Sequence, residues 1–471
     1  MKVMLINPPR EMRQPADFPP LGLAYLKSAL IKHGFVARII DGTIMSWRQL
    51  SNEVKEFNAD VVGITCWTIG RKEAFKVARL VKEKLPEAKI IFGGQHATAV
   101  PNEVFAKTET DIIAMGESDE AIVDIMKAFK EGKSIFGIKG IAYKKNSEII
   151  INEGRPLIEN LDALPFPDYS DFSLEKYNGV RELDGKSAAV FSSRGCPYQC
   201  IFCSSAKFWK QKWRLRSAEN FLDELEWLYQ DYKVRVFFIF DDLFTLKKDR
   251  VIAICKGILD RGMDIKWVAC SRVDTVDLEM LKWMKKAGCY RIDYGVESGS
   301  PVVLKNIKKG ITVEKICRAF KWTHEAGILP VSYLMVGNPG ESIQTIDDTV
   351  DLIKRIKPYG SKSAALVLVL PNTEIYEMAK EKGIISDDYW LNLENNLMYY
   401  TAEHSIKELK MLKNRLLLGS ISKEGRFLSF LEYLFRRCYL AFPVFEYIVH
   451  NWIVRHKAIF RFFRKIRVKS L

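Results

Sequence analysis

No stretch of the 471-residue chain approaches the ~20 largely apolar residues that cross a bilayer as a helix, so no spanning helix is expected. The segment from Met1 to Arg10 holds too short an apolar run for a secretory leader, and a cytoplasmic protein is expected. Histidine is scarce, with six residues too scattered to suggest a mononuclear metal site. Cysteine is odd in number, nine in all, and three of the nine fall within eight residues, which excludes a disulfide framework and points to a reducing compartment. There is no solenoid-length repeat and no low-complexity tract. With 48% hydrophobic and 28% charged residues, disordered and collagen-like classes are excluded as well.

Acidic charge is in deficit, 58 residues against 72 basic ones, for a net +14. The imbalance is local: residues 421–471 carry 11 basic and three acidic side chains, a surplus of +8, interleaved with 12 aromatics. Within them, 425–471 read as amphipathic basic helices suited to an anionic membrane surface. Residues 438–454 are the most apolar piece, but Pro443, Glu446, His450 and Asn451 oppose spanning. The alternatives are a helical pair capping the barrel with a solvated basic end, or nucleic-acid binding by the interleaved aromatic and basic residues.

Short apolar runs at 3–6, 36–40, 61–65, 90–92 and 112–115 alternate with helical patterns, which implies a parallel sheet covered on both faces over residues 1–140. Ligands of such sheets sit at the carboxyl ends of the strands, where small residues let a large molecule approach the backbone. Residues 141–184 read as a connector, with Pro165 and Pro167 forbidding a regular element. A second series at 189–192, 236–240, 267–269, 291–294, 331–336 and 364–369 predicts a partial (βα)6 TIM-like barrel over 185–375. Residues 376–471 read as helical.

The sharpest feature is Cys196-Pro-Tyr-Gln-Cys200-Ile-Phe-Cys203. A structural zinc site would need a fourth nearby Cys or His. A [4Fe–4S] cluster is held by thiolates, and three of them leave one iron open. The other cysteines (66, 255, 270, 289, 317 and 438) are widely spaced and read as small buried hydrophobes.

This motif, with Phe202 before the last Cys, resembles the signature of the radical S-adenosylmethionine superfamily. Four further motifs in the same order are similar to that family: Phe240-Asp241-Asp242-Leu243-Phe244, Trp267 to Arg272, Gly295 to Ser300, and Gly337-Asn338-Pro339-Gly340-Glu341. The likeness runs over about residues 1–375 and is to the cobalamin-binding branch, which includes anaerobic Mg-protoporphyrin ester cyclases and radical C-methylases. It implies a doubly wound Rossmann/flavodoxin-like cobalamin-binding domain, then the radical SAM barrel, then a helical region.

The resemblance also implies roles. Cys196, Cys200 and Cys203 would hold the cluster, whose open iron takes S-adenosylmethionine. Cleavage of that sulfonium would give a 5′-deoxyadenosyl radical able to take hydrogen from an unactivated carbon. Arg272 could pair with the methionyl carboxylate, Glu297 and Ser298 with the ribose, and Gly337 would border the cofactor. Asp241 and Asp242 would face the methionyl amine or the substrate as catalytic groups, the alternative being a helix cap. Thr65, Gly93, Gly94 and Thr98 are the candidates for the cobalamin tail, and Asn7, Gly116 and Glu117 for the corrin side. The D-x-H-x-x-G motif is missing; neither His33 nor His96 stands in its context, so cobalt without protein imidazole is expected. The expected function is methylation, ring closure or C–C joining on a lipid-like substrate, with flavodoxin or ferredoxin as electron donor. The alternative, an RNA-modifying methylthiotransferase, is opposed by the N-terminal region having Cys66 alone. A small-metabolite enzyme and a non-catalytic carrier are the remaining readings.

Overall fold

The computed structural model describes residues 1–10, 16–359, 363–392, 394–396 and 398–420. The expected membrane-surface tail at 425–471, with Cys438, lies outside the described residues. No helix among the described residues is long and apolar enough to cross a membrane.

Strands β1 (Lys2–Asn7), β2 (Val36–Asp41), β3 (Val61–Thr65), β4 (Lys89–Gly93) and β5 (Ile112–Ala114) pair in parallel in the order β2-β1-β3-β4-β5. This is the flavodoxin-like order, whose ligand crevice opens where the winding reverses, between β1 and β3. The strands are continuous apolar runs because helices cover both faces; Val3, Met4, Ile6, Val62, Ile90 and Ile112 are fully buried. The helix Trp47–Phe57 begins at a capping box of Ser46 and Gln49 and buries Leu50 and Val54, one turn apart.

The sheet then continues beyond the five expected strands. Strands β6 (Ile141–Lys145) and β7 (Glu148–Ile151) add an antiparallel hairpin, making seven. The expected connector at 141–184 therefore opens with regular structure. Asn146 and Ser147 turn the chain at φ 49° and 70°, the two positive values that a tight hairpin requires. Ile141 and Ala142 enter the core. The rest of the connector is irregular apart from two short 3-10 turns, Leu161–Ala163 and Leu174–Lys176, and is pinned by Lys27, whose ammonium meets Asp168 at 3.3 Å and Asp171 at 2.6 Å.

Eight further strands follow: β8 (Ser187–Val190), β9 (Ser193–Arg194), β10 (Arg214–Leu215), β11 (Val236–Ile239), β12 (Lys266–Ser271), β13 (Cys289–Glu297), β14 (Leu329–Val336) and β15 (Ser363–Leu366). Six of them, β8-β11-β12-β13-β14-β15, form the parallel half-barrel, and β9 with β10 forms a small antiparallel pair. After it, the chain is not helical throughout as expected. Between the helices Glu374–Glu381 and Ile406–Gly419 it runs mostly irregularly, with one short 3-10 turn at Asp387–Leu391. Asn392 starts a turn by accepting from the Glu394 amide at 3.0 Å, and Trp390 is fully buried. Arg71 reaches this stretch, donating to the Asn395 carbonyl at 2.6 Å while its guanidinium lies over the Trp390 ring.

Candidate functional site

The cysteine loop leaves β9 through Gly195, at φ +92°, where a Cβ would run into the Lys212 carbonyl and the Trp209 side chain; only glycine fits. The loop is then pinned at both faces. Ile201 donates to the Ile307 carbonyl at 3.2 Å and accepts from Ile375 at 3.0 Å. Cys203 closes a turn onto the Cys200 carbonyl at 3.1 Å. All three cysteines are free thiols. Burial pushes the Cys196 thiol up to about 11 and raises that of Cys203 as well, so binding of iron must displace those protons. No three His, Cys, Asp or Glu side chains among the described residues are grouped as ligands of a single metal ion. A three-thiol loop with no fourth ligand fits a cluster carrying an open iron.

Around this loop stand the carboxyl ends of successive barrel strands, where α/β barrels keep their chemistry. Asp241, after β11, accepts from the Ser192 amide at 2.7 Å and the Ser193 hydroxyl at 2.6 Å. Asp242 accepts from Ser205 Oγ at 2.8 Å, at the start of the helix that follows Cys203. Neither caps a helix, and burial raises both carboxyl groups above their ordinary range. Arg272, after β12, already clasps Asp274 through Nε at 2.9 Å and Nη2 at 3.0 Å. Its Nη1 lies 4.0 Å from Cys200 Sγ, and its plane stacks 3.5 Å from the Tyr198 ring centroid. The fork is thus shared between an internal carboxylate and the cysteine loop.

Glu297 ends β13 at φ +67°, a strained position for a residue with a Cβ, and is held there by Lys309 at 2.7 Å. Lys309 also lies 5.8 Å from the Phe202 ring centroid and gives its carbonyl to Arg272 at 2.6 Å. It joins three candidate residues, yet nothing in the sequence around it marks it. Ser298 is buried and accepts from the Ser300 amide at 3.1 Å.

Gly337, after β14, donates to the buried Glu341 carboxylate. Burial raises Glu341 to about 7. The folded state therefore holds this proton more tightly than the unfolded chain. The resulting stability is fully present below about pH 4.5, is lost as pH rises towards 7, and amounts to about 3 kcal/mol. Glu341→Gln should flatten that part of the pH profile, measured as the urea midpoint between pH 5 and 8; an unchanged slope would rule the carboxyl out as its source.

The crevice of the first sheet meets this site directly. Gly94, at φ +96°, lies so close to β3 that a Cβ would stand 2.8 Å from the Cys66 carbonyl. Thr98 accepts from the Gly116 amide at 3.0 Å and donates to the Gly94 carbonyl at 2.9 Å, tying three candidates into one cradle. Gln95, on the same loop, accepts from Ser204 Oγ beside Cys203 at 2.9 Å. The loop after β4 and the cysteine loop are therefore neighbours. Thr65 and Gly93 are half-buried at the ends of β3 and β4. Trp67 and Ile69, 55% and 69% exposed on the loop after β3, add an apolar rim that sequence reading passed over. This open cradle of backbone and small side chains fits a large flat cofactor.

Two candidates are engaged elsewhere. Asn7 donates to Asp41 at 2.9 Å. Glu117 is buried between Arg194 at 2.7 Å and Arg214 at 2.8 Å, with Asp119 also on Arg194 at 2.8 Å. These pairs bolt the first sheet to the β9–β10 pair that carries the cysteine loop. His96 is wholly buried, with Thr68 at 3.1 Å on Nδ1 and Glu103 at 2.6 Å on Nε2, so neither ring nitrogen is open to a metal. His33 lies at the end of the helix Leu21–Lys32, on the side where β2 begins.

Comparison with known proteins is consistent with this geometry. Residues 190–353 match the radical SAM superfamily and residues 14–126 the B12 binding domain. The chain is 30% identical to an uncharacterized methyltransferase of Pyrococcus horikoshii, over 97% of this chain and 96% of that one. It is also 30% identical to the anaerobic magnesium-protoporphyrin IX monomethyl ester cyclase of Cereibacter sphaeroides, over 71% of this chain and 56% of the cyclase. In fold it resembles the radical S-adenosylmethionine methyltransferase TsrM of Kitasatospora setae, solved with cobalamin and a [4Fe–4S] cluster, at a TM-score of 0.70 and 19% identity over 81% of this chain and 78% of that one.

Proposed function

The chain belongs to the cobalamin-binding branch of the radical S-adenosylmethionine superfamily, as a methyltransferase-type enzyme, and from that premise we propose that it methylates an unactivated carbon of an apolar, lipid-like small molecule met at a membrane surface. When bound, a cluster on Cys196, Cys200 and Cys203 would supply the electron that cleaves S-adenosylmethionine, and cobalamin in the first-sheet cradle would carry the methyl group. For each methyl added, two S-adenosylmethionine cations and two electrons are consumed. The products are the methylated carbon, S-adenosylhomocysteine, methionine and 5′-deoxyadenosine, whose new hydrogen comes from the substrate. A small electron carrier such as flavodoxin or ferredoxin supplies the electrons.

In this reading Cys196, Cys200 and Cys203 hold the cluster, and Arg272 stands beside it with Tyr198. Lys309 and Glu297 would border the adenosyl group, together with Phe202, Ser298 and Gly337. Asp241 and Asp242 position the strand ends through Ser192, Ser193 and Ser205. Thr65, Gly93, Gly94, Thr98 and Gly116 form the cobalamin cradle, rimmed by Trp67 and Ile69.

The observation that carries the apolar substrate is Phe240, 51% exposed at the mouth of the half-barrel, level with the half-buried Phe191. The membrane surface rests on the sequence alone, the +8 and 12 aromatics of 421–471. Each cation near an anionic leaflet contributes ~1 kcal/mol, and this attraction weakens with salt. Full-length protein should float with anionic vesicles, and truncation after Ser420 should release it with iron content unchanged. Failure to float would remove the membrane from the proposal. The chemistry is tested by anaerobic reconstitution with cobalamin, S-adenosylmethionine and a total lipid extract, followed by mass spectrometry. A lipid gaining one methyl supports methylation, and one losing two hydrogens would indicate cyclisation instead.

A further inference from the structure

Register across the half-barrel sorts its interior into layers. Phe238 stands opposite Val268, and Ile239 opposite both Ala269 and Val190. Cys270 stands opposite Asp293, Asp293 opposite Val331, and Gly295 opposite Tyr333. Phe191 and Phe240, each one residue past its paired strand partner, therefore share a level with Cys270, Asp293 and Val331. Tyr333 lies in the next level, alongside Gly295 and Arg272. The other strand face is closed: Phe237, Ile239, Ile292, Tyr294, Leu334 and Val336 are all buried. Tyr333 remains 40% exposed in the middle of a parallel strand, which only an open interior allows.

The two sides of that interior differ. On the β8–β11 side, Phe18, Phe191, Phe238 and Phe240 form an aromatic wall, with neighbouring centroids 5.1–6.4 Å apart. On the β13–β14 side, Tyr333 donates to Asp293 Oδ2 at 2.8 Å. Arg291 holds the same carboxylate through Nε at 2.7 Å and Nη2 at 3.1 Å, and meets Glu182 at 3.1 Å. Because the Tyr333 proton is already committed to Asp293, its oxygen offers the interior lone pairs only.

We propose that the half-barrel binds a substrate with an apolar ring system against the Phe18–Phe191–Phe238–Phe240 wall and a hydrogen-bond-donating end, a hydroxyl or an ammonium, at Tyr333 Oη. The proposal rests on the methyltransferase reading and narrows its substrate class. A carboxylate or phosphate at that end is refused by a group with no proton to give. The ring lies level with the strand ends that carry the cluster loop, and the polar end sets which carbon is presented there.

The test needs no turnover. Three probes with one ring are compared by anaerobic equilibrium dialysis against the full-length, cluster- and cobalamin-loaded protein: 2-(2-naphthyl)ethanol, 2-(2-naphthyl)ethylamine and 2-naphthylacetate. The alcohol and the amine should bind about tenfold or more tightly than the carboxylate. Tyr333→Phe should erase the preference for the alcohol while the ring still binds, and Phe240→Ala should weaken all three probes alike. Iron content and circular dichroism of each variant separate these effects from misfolding. Equal binding of carboxylate and alcohol, a preference for the alcohol over the carboxylate that survives Tyr333→Phe, or no binding of any probe would overturn the proposal. Methylation is read separately by mass, so a probe preference without a methylated product would count against the methyltransfer reading and leave the binding site standing.

Discussion

Replacing Cys196, Cys200 and Cys203 together with Ala removes the iron, the brown absorbance and all formation of 5′-deoxyadenosine, while the fold survives. The loop owes its path to Gly195 and to backbone bonds from Ile201 to Ile307 and Ile375, none of which involves a thiol. The thiols are therefore dispensable for the loop and indispensable for the cluster. Among the other described cysteines, Cys66, Cys255 and Cys289 are buried. Iron analysis and chromatography of the nucleoside read the two losses independently. Retention of a full iron complement in the triple variant would falsify the cluster assignment and every role built on it.

The second large effect is on stability. Arg194→Met strands Asp119 and half of Glu117 inside the protein, because Arg194 meets them at 2.8 and 2.7 Å with all three side chains more than nine-tenths buried. Removing one partner from a buried ion pair costs about 3–5 kcal/mol, much of it the burden of the charge left behind. Guanidinium unfolding should show that loss, and iron loading should fall with it, since Arg194 is the residue before Gly195 at the root of the cysteine loop. Combining Arg194→Met with Asp119→Leu should recover most of the stability, with Glu117 still held by Arg214 at 2.8 Å. Glu117→Gln separates its two readings: as a bolt between sheets it lowers stability, as a corrin contact it weakens cobalamin binding with stability unchanged.

Much of this was legible in the sequence because parallel strands buried on both faces read as bare apolar runs with turn residues at their ends. The parallel sheet and the partial barrel follow from that rhythm, while the flavodoxin-like winding is what the resemblance implied. The hairpin Ile141–Ile151 hid because Asn146-Ser147 is a weaker turn signal than Asn-Gly, and because prolines downstream coloured the whole segment as linker. The three cysteines announced themselves by spacing. The partners of Glu117 were hidden for the opposite reason: a carboxylate at a strand end looks available until Arg194 and Arg214 arrive from tens of residues away. Lys309, Tyr333 and Asp293 carry no local pattern. They acquire a role only through register across β13 and β14 and the turn that returns Lys309 beneath Glu297.

The most direct measurement supplies S-adenosylmethionine carrying a trideuterated methyl group to the reconstituted enzyme with the lipid extract and a one-electron reductant. The account predicts a lipid that gains one methyl group with all three deuteria, accompanied by one 5′-deoxyadenosine and one S-adenosylhomocysteine per product, and no product when cobalamin is withheld. A product formed without deuterium, or one formed equally well without cobalamin, would contradict it.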